Sequence, residues 1–330
     1  MSHPRPQTAI VTGATGQDGY FLVNRLLREG WTVHAPVRDV DAARSLFGAH
    51  ERLVPVKRDL RNPAPLAALV GDVQPEELYN LAGESSVSAS FDDPLSTWET
   101  NAHVVVQLLD SVRNDSPGTR FYQASSGEMF GSTPGGDVVH DEDSPLNPQS
   151  PYAAAKAAAH LLCRSYRESY GIRIACGVLF NHESHRRWPR FLSRKVVDHL
   201  KALDETGDRR PLKVGNLKAK RDWGYARDYM EGAWRMLQAD EPDDYVLATG
   251  ETHSVQEFLD AAFGHAGLDW NDYVKVDERY FRPAEVDLLV GDYSKAKEKL
   301  GWEPTVRFDE LVRMMVDHDR QRERSEEHYV

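Results

Sequence analysis

Residues 8–20 read TAIVTGATGQDGY, and this stretch decides the fold class. An apolar run typical of a buried strand ends in a turn with Gly13, Gly16 and Gly19, and a helical pattern follows. Glycines at this spacing permit a tight turn and a close approach of the backbone to pyrophosphate, while the helix N-terminus stabilises negative charge. The stretch therefore predicts a dinucleotide site. The residues predicted to bind the cofactor here are Gly13, Gly16, Gln17, Asp18 and Gly19.

Further strand-like segments alternate with helical patterns through the first half of the chain. After the first strand, these segments are TVHAPV, LVPVKR, ELYNLA, RFYQAS and IACGVLF. Near-continuous apolar strands separated by helices imply a parallel sheet that is covered on both faces. We therefore predict an α/β fold, a doubly wound parallel sheet of the Rossmann-like type, with a smaller C-terminal substrate-binding lobe.

The alternation loosens after Phe180 and returns once, in the strand-like segment YVLATG at 245–250. A chain of 330 residues accommodates two domains, or one large α/β unit with an appended lobe. We predict a dinucleotide-binding Rossmann domain over 1–180, to which 222–252 returns. The predicted substrate-binding lobe comprises 181–221 and 253–330.

Composition and charge exclude several classes of protein. Hydrophobic residues make up 40% of the chain, and no apolar run approaches the roughly 18 residues that span a bilayer. The formal charge of -12 argues against a nucleic-acid-binding face. The first residues enter a strand without a secretory signal pattern, so we expect a cytoplasmic protein without a membrane segment. Cys163 and Cys176 lie in apolar patterns without metal-binding spacing, which predicts buried thiols and no metal site.

The residues after the second strand bear on the choice between NADP and NAD. An arginine there pairs with the 2′-phosphate of NADP, whereas an acid binds the ribose hydroxyls of NAD. Arg38 comes first and favours NADP, and Asp39 beside it leaves NAD open.

Two further strand-end loops are candidates for the rest of the cofactor. Asp59 and Leu60 follow the third strand and are candidates for the adenine. Asn80, Leu81 and Ala82 come at the end of the fourth and are candidates for the pyrophosphate. Because loops at strand ends are polar by default, ordinary loop residues are the alternative interpretation.

The segment SPYAAAKAAAH, residues 150–160, places Tyr152 and Lys156 on one face of a helix. A phenol with a pKa near 10 is a poor base at neutral pH, but a neighbouring ammonium and a positive nicotinamide favour the phenolate. Tyr152 can then exchange a proton with a substrate hydroxyl. The spacing is common on solvated helix faces, but downstream of a glycine turn and of Ser126 it indicates a catalytic pair.

These motifs resemble those of the extended short-chain dehydrogenases/reductases, and most closely those of the GDP-mannose 4,6-dehydratase family. NHES followed by RR, and RDWGYARDY, are the most specific, because the superfamily at large does not share them. The matching stretches span most of the chain: VTGATGQDG, YNLAGESSVSASF, FYQASSGEMFG, SPYAAAKAAAH, YRESYGIRIACGVLFNHES, GNLKAKRDWGYARDY and RYFRPAEV.

The resemblance gives the stretch SSGEMFG, residues 125–131, a role. In the family a hydroxyl residue, a glutamate, a tyrosine and a lysine form the catalytic set. The corresponding residues here are Ser126, Glu128, Tyr152 and Lys156. The resemblance implies that hydride leaves carbon 4 of a hexose as Tyr152 takes the hydroxyl proton, and that Glu128 then removes the proton of carbon 5. Hydroxide leaves carbon 6 and hydride returns there, so the product is a 4-keto-6-deoxy sugar and the cofactor is regenerated.

The resemblance also implies contacts with the cofactor and with a GDP-linked sugar, GDP-mannose in the family. The further cofactor contacts implied are His182 and Arg187. The substrate contacts implied are Ser85, Asn181, Lys195, Arg221, Arg282 and Glu285. Arginine suits a diphosphate because its planar fork bonds two oxygens at once.

The chain departs from the family pattern near the expected sugar pocket. Gly127 stands where the family usually has a serine, and ESSV replaces QSHV, with Glu84 and Ser86 in place of an amide and an imidazole. After NHES, Trp188 and Pro189 replace a glycine and an acid. These departures leave the identity of the sugar and of the base open.

The oligomeric state is expected to differ from that of the family. The loop after Arg38, which in the family helps to bind cofactor across a tetramer interface, is shorter here. We therefore expect a homodimer, joined through amphipathic helices at 93–115 and 150–170, and a tetramer stays open.

Two other functions are alternatives to a dehydratase. One is a 4-ketoreductase or epimerase of the same fold, which can act with serine, tyrosine and lysine alone. The presence of Glu128 favours dehydration over these reactions. The other is a non-catalytic NADP-sensing protein, which the intact Ser126, Tyr152 and Lys156 disfavour.

Overall fold

Strands and helices alternate along the part of the chain that the computed structural model describes, residues 7–132, 138–281, 286 and 288–320. The strands are β1 (Thr8–Thr12), β2 (Thr32–Val37), β3 (Leu53–Lys57), β4 (Glu77–Asn80), β5 (Arg120–Ser126), β6 (Val139–His140), β7 (Ile174–Leu179), β8 (Asn181–Glu183), β9 (Leu212–Val214), β10 (Lys220–Arg221), β11 (Trp223–Tyr225), β12 (Asp244–Leu247), β13 (His253–Ser254), β14 (Val274–Val276) and β15 (Leu288–Gly291). The helices are α1 (Gln17–Arg28), α2 (Val40–Phe47), α3 (Ala64–Val73), α4 (Val87–Asp92), α5 (Pro94–Trp98), α6 (Val104–Asp115), α7 (Pro151–Tyr170), α8 (Leu192–Thr206), α9 (Ala226–Gln238), α10 (Val255–His265), α11 (Ser294–Leu300) and α12 (Phe308–Arg320).

Seven of these strands form one parallel sheet in the order β12-β7-β5-β4-β1-β2-β3. Strand β1 lies between β2 and β4, so the direction in which the chain adds strands reverses there. In a parallel sheet this reversal opens a crevice at the carboxyl ends of the strands, where ligands bind. The predicted doubly wound α/β fold is confirmed.

Each face of the central sheet carries its own apolar core. Phe121 and Tyr122 are successive residues of β5 and point to opposite faces, as neighbouring side chains of a strand do. Tyr122 lies in the core that α1 and α9 cover, and Phe121 lies in the core that α3 and α6 cover. All residues of β7 are buried, as a strand covered on both faces requires.

The C-terminal half adds smaller sheets and a helical cluster. Strand β8 pairs with β11, β9 pairs with β14, and a third sheet has the order β13-β10-β15-β6. Helices α8, α10 and α12 pack against one another. Strand β12 returns to the central sheet beside β7. The domain boundaries proposed from the sequence stay a prediction.

The segment that returns to the central sheet is anchored by a buried carboxylate. Asp222 accepts hydrogen bonds from Thr249 N at 2.8 Å, from Thr249 Oγ1 at 2.7 Å and from Gly250 N at 2.9 Å. Burial raises the pKa of Asp222 to about 6 despite these donors. The anchor therefore joins the end of β10 to the loop after β12.

The single helix predicted over 93–115 is wrong in one respect. The segment consists of α5, a π-helical turn at Glu99–His103, and α6. Asn101, within that turn, donates its side-chain N–H to the carbonyl oxygen of Glu84 across 3.1 Å. An extra residue in a π-helical turn re-aims side chains, and such turns are frequent near functional sites.

Both cysteines are buried free thiols, as predicted. Cys163 on α7 hydrogen-bonds to Cys176 on β7, and burial raises the pKa of Cys176 well above its usual value, which keeps this thiol neutral. Across residues 7–132, 138–281, 286 and 288–320, no helix combines the length and the apolar character needed to cross a bilayer.

Candidate active site

The glycine turn between β1 and α1 is built so that only glycine fits. Gly13 has a φ of +69°, and a Cβ there would lie 3.0 Å from the backbone nitrogen of Ala82. A Cβ on Gly19 would lie 2.2 Å from the carbonyl oxygen of Gly13, because the first turn of α1 packs directly on the loop. Gly16 is the N-cap of α1. Because Gly16 has no side chain to cap the N-terminal N–H groups of α1, this helix start fits a pyrophosphate.

A hydrogen-bond network at the carboxyl ends of three strands supports this turn. Thr12, Asn80 and Gln123 are neighbours in the sheet register. The Thr12 hydroxyl donates to Asn80 Oδ1 at 2.9 Å and accepts from the backbone N–H groups of Leu81 and Ala82, both at 3.1 Å. Asn80 donates to Gln123 Oε1 at 2.9 Å. Thr12 thus holds Leu81 and Ala82 beside the glycine turn, and Gln123 holds Asn80. Sequence reasoning missed Thr12 and Gln123.

Asp18 and His182 form a buried ion pair that joins α1 to β8. His182 donates from Nε2 to the Asp18 carboxylate at 3.0 Å and from Nδ1 to the carbonyl oxygen of Phe180 at 2.7 Å. Burial opposes both charges, but the charge of each residue stabilises the opposite charge of the other. The pKa of Asp18 is therefore lowered and the pKa of His182 is raised. Gln17 reinforces the link by donating to the His182 carbonyl oxygen at 3.0 Å and accepting from Ser184 at 2.9 Å.

Arg38 and Asp39, which bear on the choice between NADP and NAD, make different contacts. The Asp39 carboxylate caps α2 by accepting hydrogen bonds from Asp41 N and Ala42 N, each at 3.0 Å. Arg38 is exposed at the end of β2 and makes no ion pair with any described residue. The acid is therefore engaged, while the guanidinium is available to an anion.

The loop predicted to meet the adenine is held by an ion pair of its own. Asp59 accepts from Arg61 Nη2 at 2.6 Å and from Arg61 N at 3.0 Å, and these hydrogen bonds lower the pKa of Asp59. The neighbouring Leu60 is half-buried and packs on the apolar core that α3 and α6 cover.

Ser126, Glu128 and Tyr152 meet where β5 ends and α7 begins. Ser150 caps α7 by accepting from Ala153 N at 3.0 Å, and the helix then places Tyr152 in its first turn. The Ser126 hydroxyl hydrogen-bonds to the Tyr152 phenol and accepts from Glu128 N at 3.3 Å. The Glu128 carboxylate is close enough to raise the pKa of the phenol by charge repulsion.

Burial dominates the ionisation of the predicted catalytic pair. It raises the pKa of Tyr152 to about 12 and lowers the pKa of Lys156 to about 8. Lys156 Nζ donates to the carbonyl oxygen of Ala124 at 2.9 Å and lies 5.9 Å from the centre of the Tyr152 ring. In the chain alone the phenol is therefore protonated at neutral pH, and the effect expected from Lys156 does not outweigh desolvation.

The departure at Gly127 has a packing reason. A Cβ on Gly127 would lie 3.1 Å from the ring of Phe180, and a Cβ on Gly291 would lie 2.6 Å from the same ring. Phe180 therefore fills the space between two glycines. It also stacks on Phe130, with ring centres 6.2 Å apart.

Sequence reasoning missed a buried polar network between α7 and the strands β5, β7 and β12. His160 Nδ1 lies 3.0 Å from Ser125 Oγ, and its Nε2 lies 3.7 Å from Asp244. His160, Cys176 and Asp244 offer atoms within 4.8 Å of one another. Both oxygens of Asp244 already accept from Arg167, at 2.8 and 3.0 Å, so the carboxylate is committed to the network. The only sequence signal was a histidine one turn after Lys156.

The residues implied to bind substrate lie in the C-terminal half and beside the loop after β4. Arg221 is buried and donates to the carbonyl oxygen of Val286 at 2.6 Å, and Lys195 lies 5.3 Å from the ring centre of Tyr280. Asn181 is half-buried at the start of β8, and Ser85 is exposed. Arg282 and Glu285 lie outside the described residues.

Arg187, implied to contact the cofactor, is held on both sides. Its guanidinium pairs with Glu183 at 3.0 Å and lies over the ring of Phe191 at 3.8 Å. Glu183 also accepts from Ser193 at 2.5 Å. Arg187 and Tyr152 are close enough for the guanidinium to lower the pKa of the phenol, so the structure brings this arginine near the predicted catalytic residues.

Comparison with known proteins agrees with the geometry. A family model described as GDP-mannose 4,6 dehydratase matches residues 10–315. GDP-mannose 4,6 dehydratase 2 from Arabidopsis thaliana is 47% identical over 325 residues, covering 94% of this chain and 86% of the relative. GDP-mannose 4,6 dehydratase from Homo sapiens is 39% identical over 348 residues, covering 97% of this chain and 92% of the relative.

A solved structure extends the comparison to the fold. DesIV, a dTDP-glucose 4,6-dehydratase from Streptomyces venezuelae, was solved with NAD bound. It superposes on this chain with a TM-score of 0.84 and 25% identity, and the match covers 96% of this chain and 97% of that one. The central sheet and the smaller C-terminal sheets therefore belong to an arrangement known from sugar-nucleotide enzymes.

Proposed function

The chain belongs to the GDP-mannose 4,6-dehydratase family, and on this premise we propose that it is a hydro-lyase that converts GDP-mannose to GDP-4-keto-6-deoxymannose. The resemblance seen in the motifs is thereby confirmed. The observation that carries the proposal is the cluster of Ser126, Glu128 and Tyr152 at the carboxyl edge of the sheet. It combines an acid with the hydroxyl and phenol that a simple oxidoreductase needs.

A nicotinamide cofactor fits the glycine turn, because a side chain on Gly13 or Gly19 would close the cradle. When bound, this cofactor supplies the acceptor and the donor of hydride. We propose NADP as the cofactor, since Arg38 is available for a 2′-phosphate and Asp39 is committed to capping α2. NAD remains the alternative, with Asp59 and Leu60 at the adenine in either case.

Tyr152 is proposed to exchange the proton of the sugar's 4-hydroxyl. Its pKa of about 12 reflects burial, and a positive charge beside the phenol works in the opposite direction. The phenolate, which is the form of Tyr152 that can accept this proton, is therefore favoured once the oxidised, positively charged cofactor is in place. Ser126 stabilises the developing oxyanion at carbon 4, a contribution typically worth about 3 kcal/mol in a site without water.

Glu128 is proposed to act on carbons 5 and 6 of the hexose. The ketone at carbon 4 acidifies the proton on carbon 5, and the Glu128 carboxylate removes it. The C–O bond at carbon 6 then breaks, hydroxide leaves with the proton that Glu128 has taken, and a C5–C6 double bond forms. With the cofactor bound, hydride would add to carbon 6, and carbon 5 would take up one proton, which balances the proton that Tyr152 removed from the 4-hydroxyl, so that the net change is the loss of one water.

The substrate is proposed to lie between the two parts of the chain. Residues 1–180 with 222–252 would hold the cofactor, and 181–221 with 253–330 would hold the sugar nucleotide. The support is that Arg221 donates to the carbonyl oxygen of Val286 and Lys195 lies against Tyr280, so two cations contact described residues of the C-terminal part. Arg282 and Glu285 stay predicted substrate contacts. Asn181 and Ser85 are the proposed polar contacts to the sugar.

A homodimer is proposed through α5 and α7, which pack together. Leu95, Trp98, Leu161 and Tyr170 on these helices are 70%, 48%, 52% and 52% exposed, an apolar surface that a partner would cover. Light scattering should give twice the chain mass for the wild type and the chain mass for the double variant Trp98→Glu and Leu161→Glu. Val276→Glu, at an exposed apolar position on β14, is the matched control. A tetramer would contradict the proposed homodimer.

A cytoplasmic location of the protein stays a prediction.

The test of the reaction is product analysis. Purified protein with NADP and GDP-mannose should give a nucleotide sugar lighter by one water, without net formation of NADPH. Stoichiometric oxidation of added NADPH would select a reductase instead. An isomer of unchanged mass would select an epimerase, and unchanged GDP-mannose in the presence of bound cofactor would select a non-catalytic protein.

A further inference from the structure

An ion pair between Glu84 and Arg190 joins two loops that are distant in the chain. Arg190 Nη2 donates to Glu84 Oε1, and Arg190 Nη1 lies 3.2 Å from Oε2, so the contact is bidentate. Glu84 stands in the loop after β4, next to the catalytic end of β5, and Arg190 stands just before α8. Both loops are segments in which the chain departs from the family pattern.

The Glu84 carboxylate also shapes its own loop. Its Oε1 accepts from Ser85 N and Ser86 N, both at 2.7 Å. On the other side, the Glu84 carbonyl oxygen accepts from Asn101 at 3.1 Å. Gly83, with a φ of +156°, has no room for a Cβ against Asn101. Hydrogen bonds therefore hold Glu84 and Ser86, the chain neighbours of Ser85, while the Ser85 side chain is exposed.

Arg190 connects this loop to the start of α8. The next residue, Phe191, is the N-cap of α8 and accepts from Lys195 N at 2.9 Å. Phe191 also carries the guanidinium of Arg187 on its ring. A shift of Arg190 would therefore move the base of the helix that carries Lys195.

The opposite charges of Glu84 and Arg190 cancel at this contact, so the pair as a whole neither attracts nor repels a diphosphate. Glu84, unpaired, would repel a diphosphate, and Arg190, unpaired, would attract one. Side chains that are 25% and 43% exposed lie in a screened environment, so the pair adds little to global stability. Its effect is expected in the geometry of the loops that it joins.

We propose that Glu84 and Arg190 are positioning residues that strap the loop after β4 to the start of α8 and thereby order Ser85 and Lys195 for the nucleotide sugar. The proposal rests on the proposed function for the identity of that substrate. The strap itself rests on the contacts of Glu84 and Arg190 and is measurable without turnover.

The test compares Glu84→Gln, Arg190→Gln and the double variant with the wild type, all loaded with NADP. Glu84→Gln keeps an oxygen for Ser85 N and Ser86 N and removes only the ion pair. Each single variant should raise the KM for GDP-mannose and the Kd for GDP by about two- to fivefold, with kcat and the melting temperature unchanged. The double variant should be no weaker than the weaker single variant. Arg190→Lys should restore part of the loss.

The matched control is Arg210→Gln, which removes an exposed arginine paired with Asp208 at the other end of α8. It should leave KM, Kd and kcat unchanged. Multiplication of the two single effects in the double variant, wild-type Kd values in both single variants, or an equal effect of the control would each overturn the proposal. If the wild type does not turn over GDP-mannose, the proposed function fails, while GDP binding by the same variants still decides whether the strap exists.

Discussion

Lys156 donates a 2.9 Å hydrogen bond from Nζ to the carbonyl oxygen of Ala124, and this bond ties helix α7 to the end of strand β5. The amine is buried, and no described carboxylate forms an ion pair with it. Burial lowers its pKa from 10.5 to about 8. The charge of the predicted catalytic pair therefore changes near physiological pH.

Turnover should depend on pH through the charge on Lys156. Lys156 is an ammonium below about pH 8 and a neutral amine above it, and only the ammonium favours the phenolate of Tyr152. We expect kcat/KM for GDP-mannose to fall as the pH rises through about 8, because this ratio reports the free enzyme. Circular dichroism over the same range controls for unfolding. A profile that stays flat to pH 9.5 would show that the charge on Lys156 is not required.

Removing the carboxylate of Glu128 should separate dehydration from cofactor binding. In Glu128→Gln the side chain keeps its size but cannot take the carbon 5 proton. We expect kcat to fall by about 10²- to 10⁴-fold while the Kd for NADP stays at the wild-type value. Glu251→Gln, at a surface acid paired with Arg307 at 3.2 Å, is the matched control. Activity within threefold of the wild type in Glu128→Gln would exclude the acid–base role.

Arg38 should decide between the two nicotinamide cofactors. A hydrogen bond to a charged group contributes about 1.5–3 kcal/mol, so Arg38→Gln should weaken NADP binding by about 10- to 150-fold. The Kd for NAD should change little, because NAD lacks the 2′-phosphate. Both values are accessible by calorimetric titration. Arg44→Gln, an exposed arginine on the neighbouring α2, should change neither, and equal losses for both cofactors in Arg38→Gln would contradict the assignment.

Restoring the serine of the family at Gly127 should cost stability. The new side chain would press on the Phe180 ring, since its Cβ would lie 3.1 Å away and Gly291 closes the other side. Overpacking of this kind costs about 1–3 kcal/mol of the free energy of unfolding, measurable by denaturant titration. Phe180→Leu should recover part of the loss in the double variant. Gly118→Ser, at a position with open space around it, should be near neutral, and a neutral Gly127→Ser would refute the packing argument.

His160 should make stability depend on pH. Interactions with Cys176 and Asp244 raise its pKa above 6.5 despite burial and the opposing Arg164. The folded chain therefore binds the proton more tightly than the unfolded chain, so this stabilisation is present below pH 6.5 and is lost as the pH rises through the raised pKa. We expect the drop in unfolding free energy between pH 6 and 9 to be smaller in His160→Asn than in the wild type. Identical drops would show that His160 does not titrate with folding.

Local features of the site were predictable because they depend on short spacings. The glycine turn and the pair of Tyr152 and Lys156 lie within one strand–helix unit or one helix, where backbone geometry alone brings the residues together. The roles predicted for Ser126 and Glu128 came from the family motifs, because no short spacing indicates them. The sequence left Arg38 and Asp39 as competing signals, because a carboxylate at a helix start is equally a cap, and the sequence does not tell these uses apart.

The sequence by itself determined the parallel sheet, the glycine turn after β1 and the helix that carries Tyr152 and Lys156, since apolar periodicity and glycine placement act over a few residues. Only the tertiary structure decided which distant side chains meet: Asp18 with His182, His160 with Asp244, and Glu84 with Arg190. These pairs depend on strand order and on the paths of loops, which bring together segments that no local pattern relates. Burial, which sets the pKa values of Tyr152 and Lys156, likewise arises only when all the packing elements are in place.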